Sequence, residues 1–141
     1  MTQENATTSS PARLSAQTLI DLATPYLNPE RRDSRGSGDV AALLVTAEGT
    51  HFFGLSIDVP CSMGFCAEAG AIGAMITARQ SEIAQAVAVA FGADGEVVVY
   101  PPCGRCREFL YQIDHRNRRT EIVLGADRTV LLEELLPELW N

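Results

Sequence analysis

The sequence predicts an α/β protein, a three-layer α/β/α sandwich on a mixed five-stranded sheet. Segments with helical and strand-like patterns alternate in the order α-β-β-α-β-α-β-β-α, which suits a mixed sheet carrying helices on both faces. One helical segment, CAEAGAIGAMITAR from Cys66 to Arg79, is apolar nearly all round and rich in small residues, so it belongs in the interior against close neighbours. At 141 residues the chain fits one domain with a core of its own, without disulfides to hold it together.

Residues 1–9 are polar and low in complexity, and are expected to form a flexible tail ahead of a single domain over residues 10–141. Ser10 followed by Pro11 reads as an N-cap and first turn, and Leu14, Leu19, Leu22, Ala23 and Tyr26 share one helical face, so a first helix is expected from there to Leu27. Asn28 to Gly38 has the Pro, Gly, Ser and charge content of a loop. Val40 to Thr46 and His51 to Ile57, joined across Glu48-Gly49, read as a hairpin.

After the central helix, Ala84 to Phe91 suits a buried strand, and Val97 to Tyr100 extends it or leads into the loop before Pro101. Cys103 to Ile113 is helical in pattern, Glu121 to Gly125 is a short strand, and Ala126 to Arg128 is a tight turn. Thr129 to Leu132 reads as an edge strand before a helical Glu133 to Leu136. Parallel pairing is expected wherever a helix intervenes between strands.

Eleven Arg and no Lys stand against 18 acidic residues, and the net charge of −7 opposes binding to a nucleic acid polymer. No apolar run reaches the roughly 18 residues that span a membrane, and the polar start has no signal-peptide pattern, so a cytoplasmic protein is expected. Four Cys in such a chain read as metal ligands or redox groups and not as disulfides.

Their spacing decides. Cys66-Ala67-Glu68 followed by Pro102-Cys103-Gly104-Arg105-Cys106 matches the C-x-E…P-C-x-x-C form of the zinc deaminase signature. Three thiolates leave one tetrahedral position of Zn²⁺ open, the arrangement of a catalytic site. Cys66 and the Cys103/Cys106 pair each begin a predicted helix, where unpaired N–H groups favour thiolate. Glu68 lies on the same first turn as Cys66, close to the metal without being needed as a ligand, and so is placed to move protons. One zinc per chain is expected.

Blander readings compete. CGRC alone also describes a thioredoxin-like redox pair, but that chemistry uses neither Cys66 nor Glu68. A closed structural zinc site would recruit Cys61 as fourth ligand, yet a lone Cys is more often a buried or interface thiol. His51 and His115 read as ordinary surface or half-buried residues.

From about Val40 to Trp140 the chain resembles the free-nucleoside cytidine deaminases and their relative blasticidin S deaminase, through FFGLSID, CAEAGAIG, PPCGRCREFL and EELLPELW in the family's order. The resemblance implies a cytidine deaminase-like fold, zinc on Cys66, Cys103 and Cys106, Glu68 as proton shuttle, and a base contact from the backbone at Ala67. It implies a small-molecule nucleoside substrate and a homo-oligomer, a homotetramer or homodimer.

The chain departs from the family at several positions. Ser56-Ile57-Asp58 stands where the family carries Asn-x-Glu at the ribose site, with shorter polar groups. Gly38-Asp39-Val40-Ala41 replaces Phe-Pro-Val-Gly, so the stacking aromatic is missing, and Ala69 stands where cytidine deaminases carry an Arg that offsets thiolate charge, an Arg that blasticidin S deaminase also lacks. Arg105 or Arg107 would supply that charge, or be solvated helix surface. Trp140 is either the ring that closes a base pocket or an anchor for the C-terminus.

Three functions follow: deamination of a cytosine nucleoside; deamination of a modified or antibiotic aminonucleoside such as blasticidin S, or of another aminated heterocycle; and a zinc-stabilised binding module without catalysis. The retained Glu68 speaks against the third.

Overall fold

The structure, a computed structural model, describes residues 10–141. The expected tail over residues 1–9 lies outside the described residues. The elements are α1 (Ala16–Ala23), β1 (Glu30–Arg32), β2 (Arg35–Thr46), β3 (His51–Asp58), α2 (Ala67–Thr77), β4 (Ile83–Phe91), β5 (Val97–Val99), α3 (Gly104–Ile113), β6 (Glu121–Gly125), β7 (Arg128–Leu131) and α4 (Leu132–Leu135).

Alternation along the two central strands builds the three layers. In β2, Ala41, Leu43 and Val45 face α1, where Leu19, Ile20 and Ala23 pack with Val87, Val89 and Val123. Leu44 faces the other side with Ala86, Ile122, Ala71, Ile72, Met75, Leu110 and Leu132, under α2, α3 and α4. Both faces of β2 and β4 are thus covered, which explains why these strands read as near-continuous apolar runs.

The sheet has seven strands, not five, in the order β1-β2-β4-β6-β7, with β3 on β2 and β5 on β4. β1 comes from a stretch with no burial signal, and β5 from a Val run whose pairing direction the sequence leaves open. Residues 28–38, expected to be a loop, form β1 and the start of β2, turning at Asp33 (φ 55°). All three residues of β1 are exposed, so hydrophobic periodicity could not reveal it; backbone pairing and the Arg31–Asp39 ion pair at 2.7 Å hold it. β5 folds back antiparallel on β4, with Val99 opposite Val89, instead of extending it.

The expectation of parallel pairing across each helix is met only by β4–β6, through Gln85–Glu121 and Ala86–Ile122. Across α2, β3 and β4 do not pair with each other; each pairs antiparallel with β2, which lies between them.

The first helix is shorter than its periodicity suggests. Ser15, not Ser10, caps it by accepting from the Thr18 N–H at 3.1 Å, and the chain tightens into a 3-10 turn over Thr24–Tyr26 at Pro25. The preceding residues lie on β4, where the Gln85 side chain bonds both the N–H and the carbonyl of Leu14.

The central helix α2 lies directly on β3 at Gly54. A Cβ at Gly54 would stand 2.2 Å from the Ala67 carbonyl oxygen and 2.4 Å from the Ala71 nitrogen, so backbone meets backbone there. The opposite face of α2, including Gly73, Ala74 and Ile76, is exposed. Among the described residues no helix is long and apolar enough to cross a membrane.

Candidate active site

Two helix starts converge on one point. Cys66 is the N-cap of α2 and Cys103 the N-cap of α3, both with extended backbone (φ −67°, ψ 157° and φ −65°, ψ 167°) and neither helix start using a side-chain cap. The Ala69 N–H of the first α2 turn is taken by the Cys66 carbonyl at 3.0 Å, and the Cys106 backbone of the first α3 turn serves Cys103, so both helix starts direct N–H groups at their own cysteine. Cys106, one turn into α3, is buried.

Local sequence sets these positions. Pro101 and Pro102 follow β5, favour an extended backbone into Cys103 and cannot continue the ladder. The Arg107 guanidinium fixes this entry by donating to the Pro102 carbonyl at 2.8 Å and the Leu135 carbonyl at 3.5 Å. Before Cys66, Phe65 and Ile57 exchange N–H···O bonds of 2.9 and 3.0 Å, which ties the start of α2 to the end of β3. The intervening loop reverses through Cys61 and Ser62, both with left-handed backbone.

The Cys66 and Cys103 sulfurs are 3.5 Å apart, and the three Sγ atoms of Cys66, Cys103 and Cys106 lie within 4.8 Å of one another. Thiolates on a tetrahedral zinc, at a Zn–S distance of about 2.3 Å, stand about 3.8 Å apart, so the donor set fits that ion with one position left over. Electrostatics favour a cation there. Burial, with the Glu68 carboxylate adding to it, pushes the Cys106 thiol far up, and burial and the Cys103 thiol raise Cys66. At Cys103 burial opposes the thiolate, but hydrogen bonds from the Cys106 backbone and the neighbouring thiols outweigh it and leave its pKa below the ordinary value. Three adjacent sulfurs share negative charge poorly unless a metal deprotonates them all.

Cys66 and Cys103 open onto a cleft of about 480 Å³, within the size range of small-molecule sites, with the buried Cys106 behind them. Glu68 lines it and is only 6% exposed, its carboxylate on the first turn of α2. Solved structures share this arrangement of elements. The cytidine deaminase from Mycobacterium tuberculosis superposes with a TM-score of 0.73 at 24% identity, over 92% of this chain and 99% of that one. The cytidine deaminase from Bacillus anthracis gives 0.69 at 25% identity, over 89% of each chain, and that from Mycobacterium leprae 0.71 at 21%, over 89% and 100%. The fold is that of the cytidine deaminase superfamily. No protein-family model matches the sequence, and no curated protein matches it.

On this cytidine deaminase fold, Ser56, Asp58 and Ala67 line the same cleft as Cys66, Glu68 and Cys103. The Ser56 hydroxyl accepts from the Val40 N–H at 3.0 Å, at a bulge between Ser37 and Ala41, and keeps its own proton to donate. Ala67 is the first residue of α2, so its N–H has no partner inside the helix. Gly38 has φ +76°, and a Cβ there would come within 2.1 Å of the Asn28 carbonyl oxygen. That backbone excludes an aromatic at the position where the family pattern has one.

The remaining candidates separate. Arg105 reaches the cleft, whereas Arg107 is bound to backbone carbonyls behind it. Cys61 is exposed and stands outside the sulfur cluster, neither a fourth ligand nor a buried thiol. Trp140 is 82% exposed and does not line the cleft; Asn141 beside it meets α3 through Gln112 and Tyr111. His115 stacks on Tyr111 and His51 is exposed at the edge of Phe53.

Sequence reasoning missed Tyr100, Phe65, Val40 and Ala88 as cleft walls. Tyr100 carried a usable signal, since it enters the Pro-Pro-Cys segment that delivers a sulfur to the cluster.

Proposed function

We propose that this chain, as a single deaminase domain over residues 10–141, is a zinc-dependent hydrolase that converts a cytosine nucleoside to the uracil nucleoside and ammonia. The observation that carries the reading is the convergence of the Cys66, Cys103 and Cys106 sulfurs beside a cleft that Cys66 and Cys103 line together with the buried Glu68. Redox chemistry by a CGRC pair would leave Glu68 and Cys66 without a role.

Zinc held by the three sulfurs supplies a Lewis acid that brings the pKa of a water near neutrality. The Glu68 carboxylate takes a proton from the water that adds to C4 and passes it to ring N3; it then carries the second proton to the exocyclic amine. The C4–N bond breaks, ammonia leaves, and C4 keeps the water oxygen as a carbonyl. The Ala67 backbone orients the base, while the Ser56 hydroxyl and Asp58 carboxylate meet sugar hydroxyls.

A modified or antibiotic aminonucleoside such as blasticidin S is the second reading. It is favoured by the short polar groups at Ser56 and Asp58 and by a backbone at Gly38 that admits no aromatic. Ammonia release from cytidine, deoxycytidine and blasticidin S separates the two, with cytidine or deoxycytidine expected to turn over fastest. Metal analysis of the same samples should give one zinc per chain, and Cys103→Ala should lose it; full occupancy in that variant refutes the ligand set.

The exposed small-residue face of α2, with Ile76 47% exposed, and the bare Trp140 fit a homo-oligomer, a homotetramer or homodimer, working in the cytoplasm. Sedimentation at micromolar concentration should give a multiple of 15.2 kDa, and a monomer would refute the assembly.

A further inference from the structure

A flat heterocycle bound in a cleft needs a flat apolar surface to lie on, and at Gly38 the backbone itself excludes a ring. The strand register offers a different wall. Val40 pairs with Ala90 on one side of β4, while on the other side the Tyr100 N–H donates to the Ala88 carbonyl at 2.9 Å. Tyr100 and Val40 therefore flank the same end of β4, with the buried Ala88 between them, and all three line the cleft. Tyr100 also borders the narrow crevice behind the cleft together with Glu68.

Other aromatic side chains are engaged elsewhere or stand off the cleft. Phe65, the second aromatic of the wall, is half-buried with its ring edge against Gly70 of α2. Tyr26 and Phe53 stack on each other at 3.9 Å, and Trp140 stands outside the cleft. Tyr100 keeps 48% of its surface exposed. Its backbone is nonetheless held, by the bond to Ala88 and by Pro101, which restricts the residue before it to extended geometry. A rigidly mounted ring with few torsions of its own is a low-entropy contact surface.

We propose that Tyr100 is the aromatic wall of the base site, on which the pyrimidine ring rests over Ala88 within reach of Glu68. This assignment builds on the deaminase reading above. It makes Tyr100 a specificity residue acting through its ring face, and moves the stacking contact from β2 to the segment that carries Cys103.

The test compares wild type, Tyr100→Ala and Tyr100→Phe for cytidine turnover, calorimetric binding of uridine, zinc content and Tm. In Tyr100→Ala, KM for cytidine and Kd for uridine should rise together by about fivefold to a hundredfold, the range of one lost base–aromatic stack, with zinc content and Tm unchanged. Tyr100→Phe keeps the π face and should stay within about threefold of wild type in both. Unchanged uridine binding in Tyr100→Ala overturns the proposal and leaves the deaminase reading intact, whether or not Tm falls. Equal loss in Ala and Phe variants overturns it too, since the hydroxyl would then be the contact. Wild-type protein that neither turns over cytidine nor binds uridine overturns the cytosine-nucleoside reading and this proposal together.

Discussion

Glu68→Gln is expected to lower kcat on the best nucleoside substrate by about a hundredfold to ten-thousandfold, the usual contribution of a positioned general acid–base group. The substitution keeps the shape of a side chain that is only 6% exposed, so packing along α2 is preserved. In the proposed reaction, what it removes is the ability to accept a proton from water and return it to N3 and the departing amine. None of the three sulfurs of the cluster is touched, so zinc content should remain at one per chain. Because the lost interaction belongs to the transition state, kcat and kcat/KM should fall together while binding of the uracil nucleoside changes little. Activity within about tenfold of wild type would remove Glu68 from the proton path.

The second large effect is expected from a residue with no side chain. Gly54→Ala would drive a methyl group to 2.2 Å from the Ala67 carbonyl oxygen and 2.4 Å from the Ala71 nitrogen, both backbone atoms that cannot swing aside. Overpacking of this kind costs about 1–3 kcal/mol or more, a large part of the roughly 5–15 kcal/mol that holds a domain together. A fall in Tm on the order of 5–10 °C is expected by calorimetry. The functional loss should exceed the stability loss, because Cys66 and Glu68 both ride on the first turn of α2 and move with it. Weaker zinc retention and lower kcat in the protein that remains folded are the signatures; wild-type Tm and full activity would show that α2 can lift off β3 without consequence.

Gly54 also marks where sequence reading stops. The glycine was visible inside an aromatic, strand-like run, but nothing along the chain says which helix presses on it. Gly38 is similar: its absence of an aromatic was legible, while the cause, a left-handed backbone against Asn28, appears only when β2 bends there. The hairpin of β1 and β2 escaped detection because its exposed Arg and Glu residues carry no burial pattern. β5 could not be assigned its reversal, since a three-residue strand of Val fits an extension or a return equally well.

The sequence by itself determined the chemistry on offer. Cys66-Ala67-Glu68 and Cys103-Gly104-Arg105-Cys106 offer three thiols and one carboxylate as the candidate ligand set and proton carrier, and the apolar periods on either side place them at helix starts behind strands. Ligand type and local spacing are properties of neighbouring residues, so they are written in the order of the chain. Tertiary structure decided the site's walls: Val40 and Ala88 from two strands, Tyr100 from the return of β5, and the separation of Arg105 from Arg107 by what each guanidinium meets. Those contacts join residues as far apart as Val40 and Arg105, and they are fixed by strand register and by backbone packing at Gly54, which no local pattern encodes.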